Sequence, residues 1–552
     1  MASEVQWLRA WRPGWLPWAL LAVAWFATVP VRPMLDPDEG RYAEIPREML
    51  VSGDWITPRF DGLKYFEKPP LQYWATAAVY SVAGVKEWSS RLWSAGVAFA
   101  CLPLVFAWVR RRYGFEAGLV SLTALALSPF FGIVGHLNLL DAGLAFWLSC
   151  AVFAFTLAQL AAVNSAAERR WMLLAWGAAA LAVLSKGIVV GVLAGAALML
   201  YTLIERDIRT WRRLHALPGL VLFLVIAAPW FVVVSLRNPS FPAFFFVHEH
   251  FARFLTTVHQ RVEPWWYFLP LLLLGALPWA IPLARACRDA WMEGAVAAVA
   301  TAGAAPGFKP LRFLLVYAGV TLAFFSASGS KLAPYILPMF PVLAAITGAQ
   351  VTDPERFMRR AARVAAGLIV FLAAGLLIYS ARRNSFVPHE AIAWAGLALV
   401  AAGAGLVVTF LALRMSLATR ALVIAAAAIV VWQSLLSEYT AIPPERSARE
   451  LVVAMRPYVG AQTPLYSVGQ YRETISPYLG RTLQLVDYEG ELQFGLNEEP
   501  EKRMSLADFA ARWSAGGAAV AFFDPGIWDS WRRRGLPGHV LAADSYTVAV
   551  GR

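Results

Sequence analysis

The segment GWLPWALLAVAWFATVPVRPMLDPDEGRY, residues 14–42, decides how the rest of the chain is read. Its first half, Trp15 to Val31, is an apolar run of the length that crosses a bilayer, about 17 to 25 residues. At Arg32 the segment turns polar and delivers Asp36, Asp38, Glu39 and Arg41 directly after the run. Arg9 and Arg12 precede it as in a signal peptide, but the run is long and lacks a convincing small-residue cleavage site. It is therefore read as a retained first helix.

The same pattern recurs along the chain. Further apolar stretches centre on residues 89–108, 116–135, 141–162, 171–185, 187–204, 216–235, 266–284, 313–327, 333–349, 363–380, 391–413 and 420–436. The expectation is a polytopic α-helical membrane protein with about thirteen spans. A soluble chain is excluded by composition, because 59% of residues are hydrophobic and only 15% charged, where a soluble domain carries about 25% charge. Tryptophans cluster near the ends of the runs, as at Trp15, Trp18, Trp108, Trp265 and Trp266, where an amphipathic ring suits the membrane interface.

Alternate connections carry clustered base: Arg110 to Arg112, Arg169 and Arg170, Arg206 to Arg213, Arg285 and Arg288, Lys309 and Arg312, Arg356 to Arg363, and Arg414 with Arg420. The positive-inside rule makes these cytoplasmic, together with the N-terminus, and Arg382-Arg383 is the exception. An odd number of spans then places the C-terminus outside. This bias accounts for most of the net charge of +12. Basic residues scattered among short loops do not form a nucleic-acid surface. Cys101, Cys150 and Cys287 lie in or beside apolar runs, with no pair in an external loop, and read as small buried hydrophobes.

Three outward segments are longer than turns. The first covers residues 33–88 and is too polar to span, with Leu71 to Val82 predicted as an amphipathic helix in the interface. The second covers residues 237–265. The third is the tail of a transmembrane domain over 1–436: a small α/β domain over 437–552. Strands are predicted there at Pro464 to Val468, Arg481 to Val486, Ala518 to Phe523 and His539 to Val550, with a helix at Leu506 to Trp513. No P-loop, no GxGxxG after a strand and no internal repeat is present.

The first outward segment holds most of the chemistry. Asp36-Pro37-Asp38-Glu39-Gly40-Arg41-Tyr42 is followed by Lys64-Tyr65-Phe66-Glu67-Lys68-Pro69-Pro70. A helix starting at Pro37 puts Asp38, Arg41 and Tyr42 on one face. Lys68 precedes two prolines that forbid a local helix and hold the lysine on a stiff, extended segment. A plain solvated loop with loose ion pairs is the competing reading, since surface pairs are worth little.

Together, the Asp38-Glu39 pair after the first span, the motif Tyr65-Phe66-Glu67-Lys68-Pro69-Pro70-Leu71 and the segment Ser330-Lys331-Leu332-Ala333-Pro334-Tyr335-Ile336-Leu337-Pro338 resemble the aminoarabinose transferases. These belong to the protein O-mannosyltransferase-like group of membrane glycosyltransferases with the GT-C architecture. The resemblance covers essentially the whole chain. It implies a multi-pass protein of the bacterial inner membrane with a periplasmic active site and a periplasmic C-terminal domain. It also implies a sugar donor linked to undecaprenyl phosphate and lipid A as acceptor. The reaction so implied moves 4-amino-4-deoxy-L-arabinose onto a lipid A phosphate, lowering the negative charge that polymyxin and other cationic peptides seek.

The residues suit that chemistry. A polyprenyl phosphate leaves well once cations neutralise the charge that grows on it. Lys68 and Arg253 are the candidates for that task, with Arg41 and Lys331 next, and Tyr335 and Tyr42 as phenol donors. Arg253 follows the aromatic run Phe244 to Phe246, and simple snorkelling to headgroups is its competing reading. Tyr65 and Asp141 are assigned to substrate contact, Asp141 standing at a helix start where an N-cap role competes. Asp38 and Glu39 are the candidate catalytic carboxylates. An aspartate is a natural base for a hydroxyl acceptor, but a phosphate acceptor is already anionic, so Asp38 would then orient the acceptor, pair with the sugar amine or stabilise an oxocarbenium-like centre.

Glu67 in the first segment and His248 in the second are suitable donors for a divalent metal such as zinc. No local motif such as HExxH supports one, His259 and the run His248-Glu249-His250 also read as headgroup contacts, and the chemistry requires no metal. Lys186 reads as a lysine snorkelling from an outer turn. Two further functions stay open: a protein O-glycosyltransferase with Asp38 as true base, and a lipid flippase. The flippase is disfavoured by the absence of acidic residues along mid-membrane helices.

Overall fold

The computed structural model describes residues 15–252, 263–292, 307–381, 416–441 and 446–552, together with Gly396 and Gly403. Among them six helices are long and apolar enough to cross a membrane: Glu87–Tyr113, Leu140–Leu160, Ala216–Arg237, Pro310–Ala327, Ala333–Gln350 and Leu417–Leu436. The number rises to eight if two bent pairs each count as one span. The span expected over 391–413 lies, apart from Gly396 and Gly403, outside the described residues.

The bent pairs depart from the straight runs that the apolar pattern predicts. Phe115–Ala126 and Pro129–Gly135 meet at 66°, and Phe268–Gly275 meets Leu277–Met292 at 67°. Pro129 and Pro278 stand at the breaks. Neither can donate to the preceding turn, so the helix stops and restarts on a new axis. Hydropathy carries no sign of this angle. The two breaks are joined by the Trp279 indole N–H, which donates to Ser128 Oγ at 3.1 Å.

Residues 33–88 are largely ordered secondary structure. Helix Asp38–Ser52 carries both acids in its first turn, where the helix dipole favours them, and ends at Gly53 with φ 72°. Strands β1 (Arg59–Phe60) and β2 (Leu63–Lys64) form a hairpin. Its turn, Asp61-Gly62, takes φ 54° and 78°, the two positive values that a tight two-residue turn requires. Helix Leu71–Ala83 follows Pro70 and buries Gln72, Tyr73, Thr76, Ala77 and Tyr80, a one-sided pattern at helical spacing.

The tail folds as a five-stranded mixed sheet in the order β4 (Gln484–Val486), β3 (Leu465–Val468), β5 (Val520–Phe523), β7 (Val548–Gly551), β6 (His539–Ala543). Strand β3 runs parallel to β4 and β5, and β7 antiparallel to β5 and β6. The single strand predicted over His539 to Val550 is two. Asp544 turns the chain by accepting the backbone N–H groups of Tyr546 and Thr547 at 2.9 and 2.8 Å. Helix Leu506–Ala515, capped by Ser505 Oγ, lays Phe509 and Trp513 on Phe523 and Trp531.

This sheet domain docks on the 33–88 segment through backbone as much as side chain. The Asp36 carboxylate accepts from Thr474 N at 2.8 Å and Thr474 Oγ1 at 3.0 Å, with Arg472 Nε at 3.4 Å. Asp61 Oδ1 accepts from Leu483 N and Ser476 Oγ at 2.8 and 3.0 Å. A Cβ on Gly40 would stand 2.5 Å from the Glu473 carbonyl carbon, so this helix turn has room only for glycine.

Candidate functional site

Glu39 gathers three separate stretches of chain. Arg91, at the start of helix Glu87–Tyr113, donates to it from Nε and Nη2 at 2.8 and 2.6 Å. The backbone N–H groups of Leu35 and Asn138 donate at 3.0 and 2.9 Å. Burial opposes ionisation, but the Arg91 charge and hydrogen bonds, helped by Arg32, hold the carboxyl below its ordinary range. With 2% exposure and four donors, Glu39 faces the protein rather than a substrate. Asn138 continues the chain of bonds, its side-chain oxygen accepting from Gln72 Nε2 at 2.9 Å. Glu39 thus locks the Asp38 helix to the start of helix Glu87–Tyr113 and to the turn before helix Leu140–Leu160, and Asn138 extends the lock to Gln72 after Lys68-Pro69-Pro70.

Asp38, one residue earlier, points elsewhere and keeps 41% of its side chain exposed. It pairs with Arg41 Nη1 at 3.2 Å on the shared helix face that the spacing predicts. Arg41 is buried, lies over the Tyr42 and Tyr65 rings at 5.7 and 6.0 Å, and meets a second carboxylate, Glu491, from the sheet domain. Tyr42 packs against Tyr73 with ring centres 6.2 Å apart. Burial keeps the Tyr65 phenol protonated well above its ordinary range, against the pull of Arg41 and with the push of Glu67 and Glu491. Among the described residues the Tyr65 and Tyr73 hydroxyls have no hydrogen-bond partner.

Lys68 follows Tyr65 by three residues on the same segment. Its ammonium donates to the Glu67 backbone oxygen at 2.8 Å and stands 3.4 Å from Glu249 Oε2 and 3.8 Å from Glu67 Oε2. Glu249 comes from the π-helical segment Ala243–Ala252, and its other oxygen is 3.5 Å from His248 Nδ1. The His248 ring stacks on Phe244, which in turn packs on Phe494 of the sheet domain at 3.9 Å. Arg253 and His259 lie outside the described residues. Among those described, no group of three His, Cys, Asp or Glu side chains is spaced to hold a metal. Glu67 and His248 are a carboxylate and an imidazole, both suitable donors to a divalent metal.

Lys331 and Tyr335 belong to a second cluster. Lys331 is buried and donates to Ser328 O at 2.7 Å. The Tyr335 ring packs on Phe325 and carries the Lys186 ammonium 4.4 Å from its centre. Lys186 is not snorkelling: it turns inward and pairs with Asp141, both side chains about nine-tenths buried at 11% and 10% exposure. That pairing joins the ends of helices Leu140–Leu160 and Ala166–Lys186, and Asp141 makes no side-chain N-cap.

Four contributors lie outside every motif of the sequence: Arg91, Gln72, Asn138 and Glu491. Only Arg91 left a signal, an arginine in the opening turns of an otherwise apolar span. Glu249 reads in the sequence as part of a histidine run, and the structure makes it the partner of Lys68.

Comparison with known proteins places this geometry in a class. Residues 19–292 match the family described as dolichyl-phosphate-mannose-protein mannosyltransferase, and residues 451–552 match the aminoarabinose transferase C-terminal domain. The crystal structure of ArnT from Cupriavidus metallidurans bound to undecaprenyl phosphate is similar with a TM-score of 0.86, at 33% identity and 98% coverage of each chain. This is the GT-C architecture of membrane glycosyltransferases. An undecaprenyl phosphate-alpha-4-amino-4-deoxy-L-arabinose arabinosyl transferase from Pseudomonas aeruginosa (strain UCBPP-PA14) is 33% identical over 387 residues, 68% of this chain and 67% of that one. Its counterpart from Aeromonas hydrophila is 34% identical over 345 residues, a match spanning 61% of this chain and 60% of that protein's length. The chain belongs to the aminoarabinose transferase family.

Proposed function

We propose that this protein is an inner-membrane glycosyltransferase that moves 4-amino-4-deoxy-L-arabinose from undecaprenyl phosphate to a phosphate of lipid A. The observation that carries the reading is the placement of Lys68. It is held between Glu67 and Glu249 on a proline-stiffened segment that also carries Tyr65, the ring beneath Arg41. An oxygen of the lipid A phosphate attacks C1 of the sugar, the bond from C1 to the donor phosphate oxygen breaks, and undecaprenyl phosphate leaves with the electron pair. Lys68 stabilises the charge that grows on the leaving phosphate, with Arg253 as its partner. Glu39 positions the site and does not touch substrate. Asp38, exposed beside Arg41, faces the sugar or the acceptor; an anionic acceptor has no proton for it to remove.

The fuller topology belongs to the same proposal: about thirteen spans, the N-terminus in the cytoplasm, and both the first outward segment and the sheet domain in the periplasm. There the donor lipid presents its phosphate among the headgroups. The product carries an added amine and less negative charge, which is how the reaction would protect against polymyxin and related cationic peptides. The test is incubation of the purified protein with undecaprenyl phosphate-linked aminoarabinose and either lipid A or a Ser/Thr peptide. Modified lipid A is the expected product. Transfer to peptide alone would replace the acceptor, and donor recovered intact but moved across vesicles would replace the enzyme with a flippase.

A further inference from the structure

The ion pair that holds the proposed phosphate lysine crosses between two segments of chain. Lys68 comes from residues 33–88, and Glu249, 3.4 Å from its ammonium, comes from the π-helical segment Ala243–Ala252. A pair of this kind is only as precise as the packing that sets the separation of its two segments. That packing includes a ring from the sheet domain. We infer that Phe494 is a positioning residue for the donor phosphate: it touches both segments and so sets where the Lys68 ammonium stands. The inference rests on the reading of function above and deepens it.

Phe494 meets Phe66 edge-on with ring centres 5.7 Å apart, and Phe66 stands two residues before Lys68. On its other side Phe494 meets Phe244 at 3.9 Å. Phe244 precedes Glu249 by one turn of the π-helix, whose hydrogen bonds close from residue i to i+5. Phe66 also touches Phe241 directly, at 5.2 Å. One such contact leaves the two segments able to pivot about it, and the second, through Phe494, removes the pivot. Close-packed rings lose their attraction steeply with distance, so a missing ring moves its neighbours or leaves them loose.

The ring is itself anchored. Helix Gln493–Glu498 lies so close on the β1–β2 hairpin that a Cβ on Gly495 would stand 2.7 Å from Lys64 O. Just past the helix, the Glu499 carboxylate accepts from Lys64 N at 3.1 Å and from Arg59 Nη1 at 3.0 Å. Lys502 Nζ donates to Glu499 and to Gly62 O at 3.0 and 2.7 Å. A two-stranded hairpin this short has little stability alone. The sheet domain therefore supplies its rigidity, and the chain carries that rigidity from Lys64 to Lys68, where the two prolines take over.

The experiment measures binding of undecaprenyl phosphate to the full-length protein, with thermal midpoints alongside. Phe494→Ala is expected to weaken binding about tenfold, the worth of one charge-assisted hydrogen bond. Phe494→Tyr keeps the ring and should bind within about twofold of wild type. In a Lys68→Ala background, Phe494→Ala should add no further loss, because the group it positions is gone. Losses that multiply would make Phe494 a packing residue and overturn the inference. So would a folded Phe494→Ala that binds like wild type while Lys68→Ala binds weakly, a result that leaves the phosphate reading intact. If Phe494→Ala does not fold, Phe494→Leu, which keeps apolar bulk without the flat ring, is judged by the same outcomes. A protein that shows the coupling but transfers no sugar to lipid A would remove the transferase reading and leave the role of Phe494 standing.

Discussion

Glu39 and Arg91 form a two-pronged ion pair, 2.6 and 2.8 Å long, between residues that are 2% and 0% exposed. Removing one member strands the other's charge in a place where water cannot reach it, at a cost of about 3–5 kcal/mol. Arg91→Ala is therefore expected to lower the thermal unfolding midpoint sharply and abolish activity with it. Glu39→Gln should cost less, because it keeps the acceptor for Asn138 N. A normal midpoint with activity lost in Glu39→Gln would return Glu39 to the chemistry.

Lys64 and Lys68 are four residues apart, yet only one lies at the proposed phosphate site. Lys64 Nζ reaches Glu498 at 3.5 Å on the sheet domain. Lys68→Ala should reduce kcat/KM by about 100-fold or more, the usual loss when a group opposing transition-state charge is removed. Lys64→Ala should stay within a few-fold, since its ion pair is partly solvated. Initial rates at saturating lipid A separate the two, and equal, mild effects would make Lys68 an ordinary solvated lysine.

Asp61 gives the docked sheet domain a pH response. Burial pushes its carboxyl up to about 8, with Glu44 adding to the shift and the hydrogen bonds from Leu483 and Ser476 and the Arg47 charge opposing it. The unfolded chain ionises near 3.9. The folded protein therefore binds a proton that the unfolded chain has lost, and stability falls as pH rises between about 4 and 8. Thermal midpoints from pH 5 to 8 should decline in wild type and flatten in Asp61→Asn. Parallel profiles would mean that Asp61 is ionised when folded.

The Lys186–Asp141 pair predicts a rescue. Asp141→Ala leaves a buried ammonium against the Tyr335 ring and should destabilise by about 3 kcal/mol. Adding Lys186→Met should recover most of that loss, because no charge is then stranded. Unfolding midpoints of the two single variants and the double variant give the coupling directly. Additive losses would show that the two side chains act apart.

The sequence carried the fold to the level of periodicity. Apolar run length located the six spans seen among the described residues, and the short apolar runs of the tail located its strands. It did not carry direction. Asp38 and Glu39 are adjacent acids in one motif, and only the helix from Asp38 separates them, since successive helical residues point about 100° apart. Arg91 and Glu491 lie far along the chain, so nothing local marks their meeting with Glu39 and Arg41. Lys68 was legible because its constraint, two prolines, is written next to it. The bends at Pro129 and Pro278 were not, because hydropathy averages across a proline without registering the turn.

The close approach at Gly40 bears on how such proteins can be recombined. The helix turn offers bare backbone to the backbone of Glu473 and Thr474, leaving no side chain whose rotation could absorb a mismatch. A chimera that grafts a relative's tail onto this membrane region would have to import the 36–41 turn and the 472–474 strip together. The two halves of the site are exchangeable only as a matched set.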